Sequence, residues 1–322
     1  MRRVFGVTLT GLGAFLLVAA AMCRFYLPGQ VIKFPLNEYS VSSLTGTNVS
    51  YFSQQTGAVV NGATVRAIST VQGDVRAGSS STAVWTNITG VFDVTNSPQV
   101  PISYSTERLA FDRRSGLLVN CCGAEIGTKQ VKMSGQGFVW PIGVQQKTYQ
   151  VFDTTLLKPQ PAQFVGTSTV DGLNVYIFDE NVDHKQVGSI SLPGSLVGIN
   201  DQATVTLPEY LSSNVTYYVD PGTGSPVKLV ESQNESLTNP STGGTALVLL
   251  KGTLTTTPQS IAAAVNTAKS SDTEITWVQD IGPLIGVLLG LLLLVLGILL
   301  LLRDDRDVYY EYEDEEEATA SA

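Results

Sequence analysis

The sequence predicts a mainly β protein: a large antiparallel β-sandwich or half-open barrel, flanked by an N-terminal and a C-terminal transmembrane helix. Uncharged apolar runs stand near both ends of the 322 residues. The region between them is rich in Val, Thr, Ser and Gly, and its short alternating runs are separated by turn signals. Three cysteines are too few to hold a domain of about 250 residues together, so an apolar core must do so.

The N-terminal apolar run predicts the first membrane segment. Residues 1–3 include Arg2 and Arg3 and are predicted to be cytoplasmic, and residues 4–23 form the span. Ala19-Ala20-Ala21 would suit the exit of a cleaved signal peptide. An apolar run of about 19 residues is longer than most signal cores and favours an uncleaved signal anchor. We prefer the anchor, and cleavage remains the alternative.

The C-terminal apolar run, residues 281–302, contains no charged side chain. At about 1.5 Å per residue a helix of this length crosses the hydrocarbon core of a bilayer. Lipid cannot satisfy exposed backbone groups, so the segment must be helical there. Residues 303–322 are dense in acids, which repel each other, and are predicted to be a disordered cytoplasmic tail.

Basic residues beside the two spans predict the topology. Arg2 and Arg3 precede the first span, and Arg303 and Arg306 follow the second. The positive-inside rule then places both termini in the cytoplasm and residues 27–279 outside the plasma membrane. The tail holds nine acids and two arginines, and the remaining net charge is close to zero. Without a basic stripe the domain is not expected to bind nucleic acid.

The extracytoplasmic region reads as short strands with few helices. Asp171-Gly172 between two alternating runs predicts a β-hairpin. Phe138–Val144 is predicted to be a strand, and Leu207–Ser212 a single helical turn. Thr257-Pro258 followed by an Ala-rich stretch predicts a helix that leads towards the second span.

No motif in the chain predicts a catalytic residue, a metal site or a cofactor. His184 is the only histidine, and no G-x-S-x-G elbow accompanies it. A zinc site of several histidines is excluded by count. The Asp179-x-Asn181-x-Asp183 run has the opening spacing of a calcium loop but lacks the glycine and the glutamate that such a loop requires. The sequence does not identify ligand-binding residues.

Two features are candidates for special contacts. Cys121 and Cys122 are adjacent, and outside the cytoplasm they can close a vicinal disulfide; the alternatives are two thiols or one cysteine that pairs elsewhere. In the second span Gly282, Gly286 and Gly290 share one helix face, which lets another helix approach closely. That partner is predicted to be the first span, through Gly6 or Gly13, or the same helix of a second copy.

The passages Phe138-Val139-Trp140-Pro141-Ile142-Gly143 and Tyr217-Tyr218-Val219-Asp220-Pro221-Gly222-Thr223-Gly224 resemble an actinobacterial family, and Lys33-Phe34-Pro35-Leu36 fits it too. It is a two-span envelope family of unknown function that is sometimes labelled porin PorA-like. The resemblance covers nearly the whole chain. It implies a cell-envelope protein connected with the assembly of lipoglycans or glycolipids, and it brings no catalytic residues.

Three functions are therefore considered. The preferred one is a non-enzymatic envelope factor whose domain binds or conducts a lipid or lipoglycan intermediate, and a continuous apolar cavity would support it. The second is a scaffold for an envelope glycosyltransferase, which would use the glycine face or the tail. The third is an extracytoplasmic enzyme, which requires two acidic side chains that converge in one cleft with perturbed pKa values. The expected partners are plasma-membrane lipid, a lipoglycan or glycolipid, a glycosyltransferase, or a second copy that self-associates through the C-terminal span.

Overall fold

The computed structural model describes residues 2–199 and 202–320, and the chain divides into two compact units. The helical unit comprises Met1–Ile32 and Ser271–Ala322, and the sheet unit comprises Lys33–Ser270. Met1 of the predicted cytoplasmic N-terminus and residues 321–322 of the predicted tail lie outside the described residues.

Apolar helices stand at both ends of the chain. Helix α1 spans Arg2–Phe25, and the short α2 spans Leu27–Val31. Near the C-terminus, α3 (Pro258–Thr276) leads through a π-helical turn (Trp277–Ile281) into α4 (Gly282–Ala320). By length and composition the helical segments Arg3–Phe25 and Pro258–Leu302 can cross a membrane. The prediction of two apolar flanking helices is confirmed.

Helix α4 continues beyond the apolar segment to Ala320. The disorder expected for residues 303–322 stays a prediction. No glycine or proline lies between residues 303 and 320 to end the helix. Alanine and glutamate, which are good helix formers, make up much of the segment.

The sheet unit is one antiparallel sheet of eleven strands, which confirms the mainly β fold. Its order is β5-β4-β3-β2-β1-β11-β10-β9-β8-β7-β6, and only the step from β1 to β11 joins strands that are distant in sequence. The strands are β1 (Tyr39–Ser53), β2 (Ala58–Gly73), β3 (Thr82–Asp93), β4 (Ser97–Asp112), β5 (Glu125–Ile126), β6 (Tyr149–Asp153), β7 (Lys158–Val170), β8 (Leu173–Pro193), β9 (Thr204–Val219), β10 (Pro226–Thr238) and β11 (Thr245–Thr256).

The sheet is open but curls until its ends approach each other. Isolated bridges pair Phe111 of β4 with Leu118, Leu117 with Gln136, and Gln136 with Val151 of β6. This path connects β4 to β6 although eight strands separate them in the sheet order. The curl corresponds to the half-open barrel among the predicted architectures. We call the side that carries Trp85, Phe111 and Phe178 the inner face, and the opposite side the outer face.

Aspartates close several of the strand ends through a recurring turn. The Oδ1 atom of Asp93 accepts hydrogen bonds from the backbone N–H groups of Thr95 and Asn96, at 2.8 and 3.0 Å. Asp112 and Asp153 make the same pair of bonds to the backbone two and three residues further on. Such Asx turns satisfy backbone donors where the ladder stops. They set the points at which the chain reverses, and so they fix which residues face inward.

Helix α3 begins as predicted and covers part of the outer face. Thr257 stands at its N-terminus and its hydroxyl accepts a hydrogen bond from the N–H of Ser260 at 3.4 Å. Val265 and Ala268 pack against Val175 of β8 and Val227 of β10. The outer face around Val175 and Val227 is thereby shielded from water.

One local prediction is confirmed and two are wrong. Asp171 and Gly172 both have positive φ, +46° and +75°, and connect β7 to β8 in a two-residue hairpin. Leu207–Ser212 lies inside β9 because ladder pairing with both β8 and β10 outweighs the local helix signal. Phe138–Val144 forms no strand; it is an irregular segment that delivers Trp140 to the inner-face core beside Phe178.

Candidate functional site

Acidic side chains are concentrated on the inner face of the sheet, between the apolar clusters. Glu180 on β8, Glu231 and Glu235 on β10, and Glu107 on β4 all lie on this side by the register of the ladders. None of these four glutamates forms an ion pair in the part of the chain that the structure describes. Unpaired acids away from the surface are costly when ionised, so their protonation state decides what this face can do.

Glu180 is the buried centre of the first acidic group. Its carboxylate accepts a hydrogen bond of 2.8 Å from the hydroxyl of Tyr217 on β9. Burial raises the pKa of Glu180 to about 7, the Tyr217 bond opposes this, and the charges of Asp153 and Glu231 raise it further. The same environment raises the pKa of Tyr217 well above 10. Glu180 therefore carries its proton for much of the time near neutral pH.

Asp153 extends this group across the curl of the sheet. It stands on β6, whereas Glu231 stands on β10, so β7, β8 and β9 lie between their strands. In a flat sheet strands four positions apart would be about 19 Å apart. The charge of Asp153 nevertheless raises the pKa of Glu231, in addition to the larger effect of burial. The curl therefore brings acids from distant strands towards one space.

Glu235 and Glu209 form a second acidic group further along the same face. Burial and a hydrogen bond with Glu209 raise the pKa of Glu235, because two neighbouring carboxylates cannot both ionise at low cost. Gln233, two residues before Glu235 on β10, donates a hydrogen bond of 3.1 Å to the carboxylate of Glu235. Along one face of β10 the side chains are thus an acid, an amide and an acid. We call these three residues, Glu231, Gln233 and Glu235, the β10 polar strip.

Part of this face remains accessible to water. Glu107, Tyr217 and the three residues of the β10 polar strip keep partial exposure, although the apolar clusters beside them are buried. At the β4 end, Asn87 donates to Glu107 at 2.7 Å, and burial raises the pKa of Glu107. The inner face can therefore offer hydrogen bonds to a polar ligand, and burial favours the protonated form of Glu107.

Sequence reasoning missed the β10 polar strip. A signal was present: Glu231, Gln233 and Glu235 alternate along a strand in which apolar residues would normally occupy every second position. The convergence of Asp153, Glu180 and Glu231 gave no such signal, since it depends on the curl of the sheet. The structure does bring acids together, as an extracytoplasmic enzyme would require. No group of three or more His, Cys, Asp or Glu among the described residues is arranged to hold a metal ion.

Two cavities lie outside the inner face. The larger, about 410 Å³, is lined by the end of β2, the turn that follows it and outer-face residues of β3 and β4: Gln72, Gly73, Asp74, Val75, Arg76, Thr86 and Arg108. The smaller, about 290 Å³, lies beside Cys121 and Cys122. Neither is the continuous apolar cavity that a tunnel for acyl chains would require.

Cys121 and Cys122 occupy an exposed loop between β4 and β5 and line the smaller cavity. The structure joins them in a vicinal disulfide, with Cys122 in the left-handed region at φ +60°. Cys23 in α1 is a free thiol. The redox state of the pair in the purified protein stays a prediction.

The glycine face of α4 lies against α1 of the same chain. A Cβ atom added to Gly290 would lie 3.0 Å from the carbonyl oxygen of Gly13, and one added to Gly286 would lie 3.0 Å from the Cβ atom of Ala20. Both distances are too short for an undisturbed contact. Gly286 and Gly290 therefore permit the close packing of the two helices, and α1 occupies the face that a second copy would need.

Gly282 does not take part in this contact. The nearest atom to a Cβ added there is the carbonyl oxygen of Trp277, in the preceding turn of its own helix. Gly297, which was not among the predicted packing residues, instead lies against Thr10 of α1. The contact between α1 and α4 therefore begins at Gly286, one turn after Gly282, and it extends beyond Gly290 to Gly297. Beside Gly282, the Arg24 guanidinium at the end of α1 pairs with Asp280 at 3.2 Å.

Comparison with known proteins gives one family. The profile of the family described as Porin PorA matches residues 5–299, which include most of α1, the whole sheet and the first part of α4. No curated protein matches the chain.

Proposed function

Because the chain belongs to the Porin PorA family, we propose that it is a membrane-anchored, non-enzymatic cell-envelope factor whose sheet unit binds or conducts a lipid or lipoglycan intermediate. The family and the fold support a membrane-associated, β-rich protein. The class of ligand that it binds is what we propose. The proposed setting is the plasma membrane of an actinobacterium, with both termini in the cytoplasm and residues 27–279 outside. The arginines beside the two spans support this topology.

The β10 polar strip is the observation that carries the proposal. Its carboxyl and amide groups are partly accessible, and burial raises the pKa of both Glu231 and Glu235. A protonated carboxyl group donates one hydrogen bond and accepts others, as an amide does. Such a strip suits the hydroxyl groups of a glycan, and its raised pKa values reduce the repulsion of an anionic lipoglycan. A fixed anionic lining would repel it.

Native mass spectrometry of the detergent-purified chain, with extraction of bound lipid, tests this proposal. We expect one defined envelope glycolipid or lipoglycan fragment to be recovered with the wild-type protein. Gln233→Leu removes the central amide of the β10 polar strip and should reduce its occupancy about tenfold. Asn234→Leu is the matched control, because Asn234 is exposed on the outer face of the same strand.

Two results would contradict the proposal. One is the absence of any defined lipid from the wild-type protein. The other is equal recovery from wild type and Gln233→Leu, which would place the ligand away from the β10 polar strip.

A second candidate function is favoured by the convergence of Asp153, Glu180 and Glu231. A protonated carboxyl beside an ionised one is the arrangement by which many glycosidases cleave sugar bonds. Glu180 would then act as the general acid. Incubation of the protein with a lipoglycan, followed by assay of new reducing ends, distinguishes the two functions. Release that is lost in Glu180→Gln would favour the enzyme, and no release would favour the binding factor.

A further inference from the structure

The outer face of the sheet is covered on one side and bare on the other. Helix α3 packs on β8, β9 and β10. On β1 to β4 several large apolar side chains remain exposed. Val41 is 51% exposed, Ile68 37%, Ile88 40% and Tyr104 65%. These values describe an uncovered apolar surface on one half of the sheet.

These side chains form a continuous strip. In one row of the ladder Val41, Thr70 and Ile88 lie side by side across β1, β2 and β3. In the next row on the same face Ile68, Gly90 and Tyr104 lie across β2, β3 and β4. Gly90 has no side chain, and the Phe92 ring fills its place: a Cβ atom there would lie 2.8 Å from the ring. We call these two rows the outer apolar strip.

The 410 Å³ cavity opens at the end of this strip. Gln72, Thr86 and Arg108 form the adjoining row on the same face and line the cavity. Neighbouring rows on one face of a strand are about 7 Å apart. Asp74 and Arg76, in the turn after β2, complete the cavity. A polar pocket and an apolar surface therefore adjoin on a single face.

The cavity is positively charged. Arg108 donates through Nη2 to the Asp74 carboxylate at 2.7 Å and through Nη1 to the Thr86 hydroxyl at 3.2 Å. This fixes its guanidinium, and the other N–H groups of Arg108 are not used by these two bonds. Arg76 is exposed, and its side chain forms no ion pair in the described part of the chain. Among the residues that line the cavity, two guanidinium groups face one carboxylate, which leaves one positive charge unmatched. Glu125 of β5 lies opposite Arg108 in the ladder but does not line the cavity.

We propose that this face binds the phosphate-bearing headgroup of a membrane lipid at Arg76 and Arg108, with the acyl part of the lipid along the outer apolar strip. A guanidinium matches a phosphate in charge and in hydrogen-bond geometry. The adjoining apolar surface selects an amphipathic molecule over a free anion. The chain also carries two helical segments that are long and apolar enough to cross a membrane, where such lipids occur. The site lies on the opposite side of the sheet from the β10 polar strip and does not depend on the function proposed there.

The test uses the full chain in a neutral detergent and a soluble probe lipid. Binding of dioctanoyl phosphatidylglycerol is compared with binding of dioctanoylglycerol, which has the same chains without the phosphate. We expect the phospholipid to bind at least about tenfold more tightly. Arg76→Gln should weaken its binding about tenfold, and Ile88→Ser should weaken it severalfold through loss of apolar contact.

The controls separate this site from folding effects and from the inner face. Arg76 and Ile88 are exposed, so both variants should keep the wild-type circular dichroism and melting curve. Arg114→Gln makes the same charge change outside the cavity and should bind as wild type. Gln233→Leu on the inner face should also leave this binding unchanged.

Two outcomes would overturn the proposal. Equal affinity for the phospholipid and for dioctanoylglycerol would remove the role of the phosphate. Displacement of the lipid by inorganic phosphate, together with an unaltered Ile88→Ser variant, would identify a site for a free anion instead of a lipid.

Discussion

The hydroxyl of Tyr217 on β9 lies 2.8 Å from the carboxylate of Glu180 on β8, and both side chains point to the inner face of the curled sheet. The bond favours the ionised form of Glu180, whereas its burial and the charges of Asp153 and Glu231 favour the protonated form. Burial has the larger effect. The balance makes the stability of the sheet unit depend on pH.

We expect the sheet unit to become less stable as pH rises from about 5 to about 7. Folded Glu180 holds its proton up to about pH 7, whereas an unfolded glutamate loses it near 4.5. Between these values the folded state binds more protons, so each pH unit costs at most about 1.4 kcal/mol. Glu180→Gln keeps an oxygen for the Tyr217 hydroxyl and removes the titration. Urea unfolding at several pH values should show a smaller slope in this variant.

Asp183→Asn is the control for this titration, because Asp183 is exposed on the same strand. It should reproduce the wild-type pH dependence. A wild-type protein that gains stability steadily between pH 5 and pH 7 would contradict the raised pKa of Glu180.

Asp93 should be the most costly of the turn aspartates to remove. It is fully buried, and its carboxylate accepts bonds from the backbone of Thr95 and Asn96, the Asn96 amide at 2.7 Å and the Tyr51 hydroxyl at 2.9 Å. Asp93→Ala leaves these donors unpaired, so we expect a loss of about 3 kcal/mol in the free energy of unfolding. Urea unfolding near neutral pH measures it, and Asp183→Ala is the exposed control. A loss equal to that of the control would refute the structural role.

The titration of Asp93 runs in the opposite direction to that of Glu180. Burial raises the pKa of Asp93, but the bonds from Asn96, Thr95 and Tyr51 together lower it below 3.8. Its contribution is therefore present above pH 3.8 and is lost as pH falls through the lowered value. In Asp93→Ala this acid-side loss should disappear, while the decline between pH 5 and pH 7 should remain.

Local signals predicted the elements that depend on a few neighbouring residues. Asp171-Gly172 defines its hairpin because both positions need positive φ, and Thr257-Pro258 starts α3 for reasons confined to one turn. Leu207–Ser212 failed because β9 pairs on both sides, which no local signal records. The charge of Asp153 raises the pKa of Glu231 only because the sheet curls. The candidate site is thus a product of tertiary geometry.

The same reasoning explains the glycines of α4. Their spacing identified a helix face, and Gly286 and Gly290 do lie on it. Which glycines of that face contact α1 depends on how the two helices are positioned along each other. In the structure Gly297 takes part in the contact and Gly282 does not. Sequence spacing predicts the side of a contact better than its ends.

The vicinal pair can be tested by counting thiols. If Cys121 and Cys122 are joined, a thiol-alkylating reagent applied to the denatured, non-reduced chain should add one label, on Cys23. After reduction three labels should be added. Intact-mass measurement distinguishes these states directly. Three labels before reduction would show that the pair is a dithiol in the purified protein, and the loop would then rely on its backbone alone to hold Cys122 at positive φ.

We expect the close packing of α1 against α4 to be lost when a large side chain replaces Gly286 and to be kept when one replaces Gly282. Gly286→Ile would place side-chain atoms where Ala20 of α1 now lies, so the helices must separate. Gly282→Ile makes the same change in the same helix but meets no atom of α1, and it is the matched control. Spin labels on Cys23 and on a cysteine introduced at Leu284, which is exposed, report the separation near that end of the helices. We expect a longer and broader distance distribution in Gly286→Ile and an unchanged one in Gly282→Ile. If both variants give the wild-type distribution, contacts such as Arg24–Asp280 hold the helices together, and Gly286 is not required for their close approach.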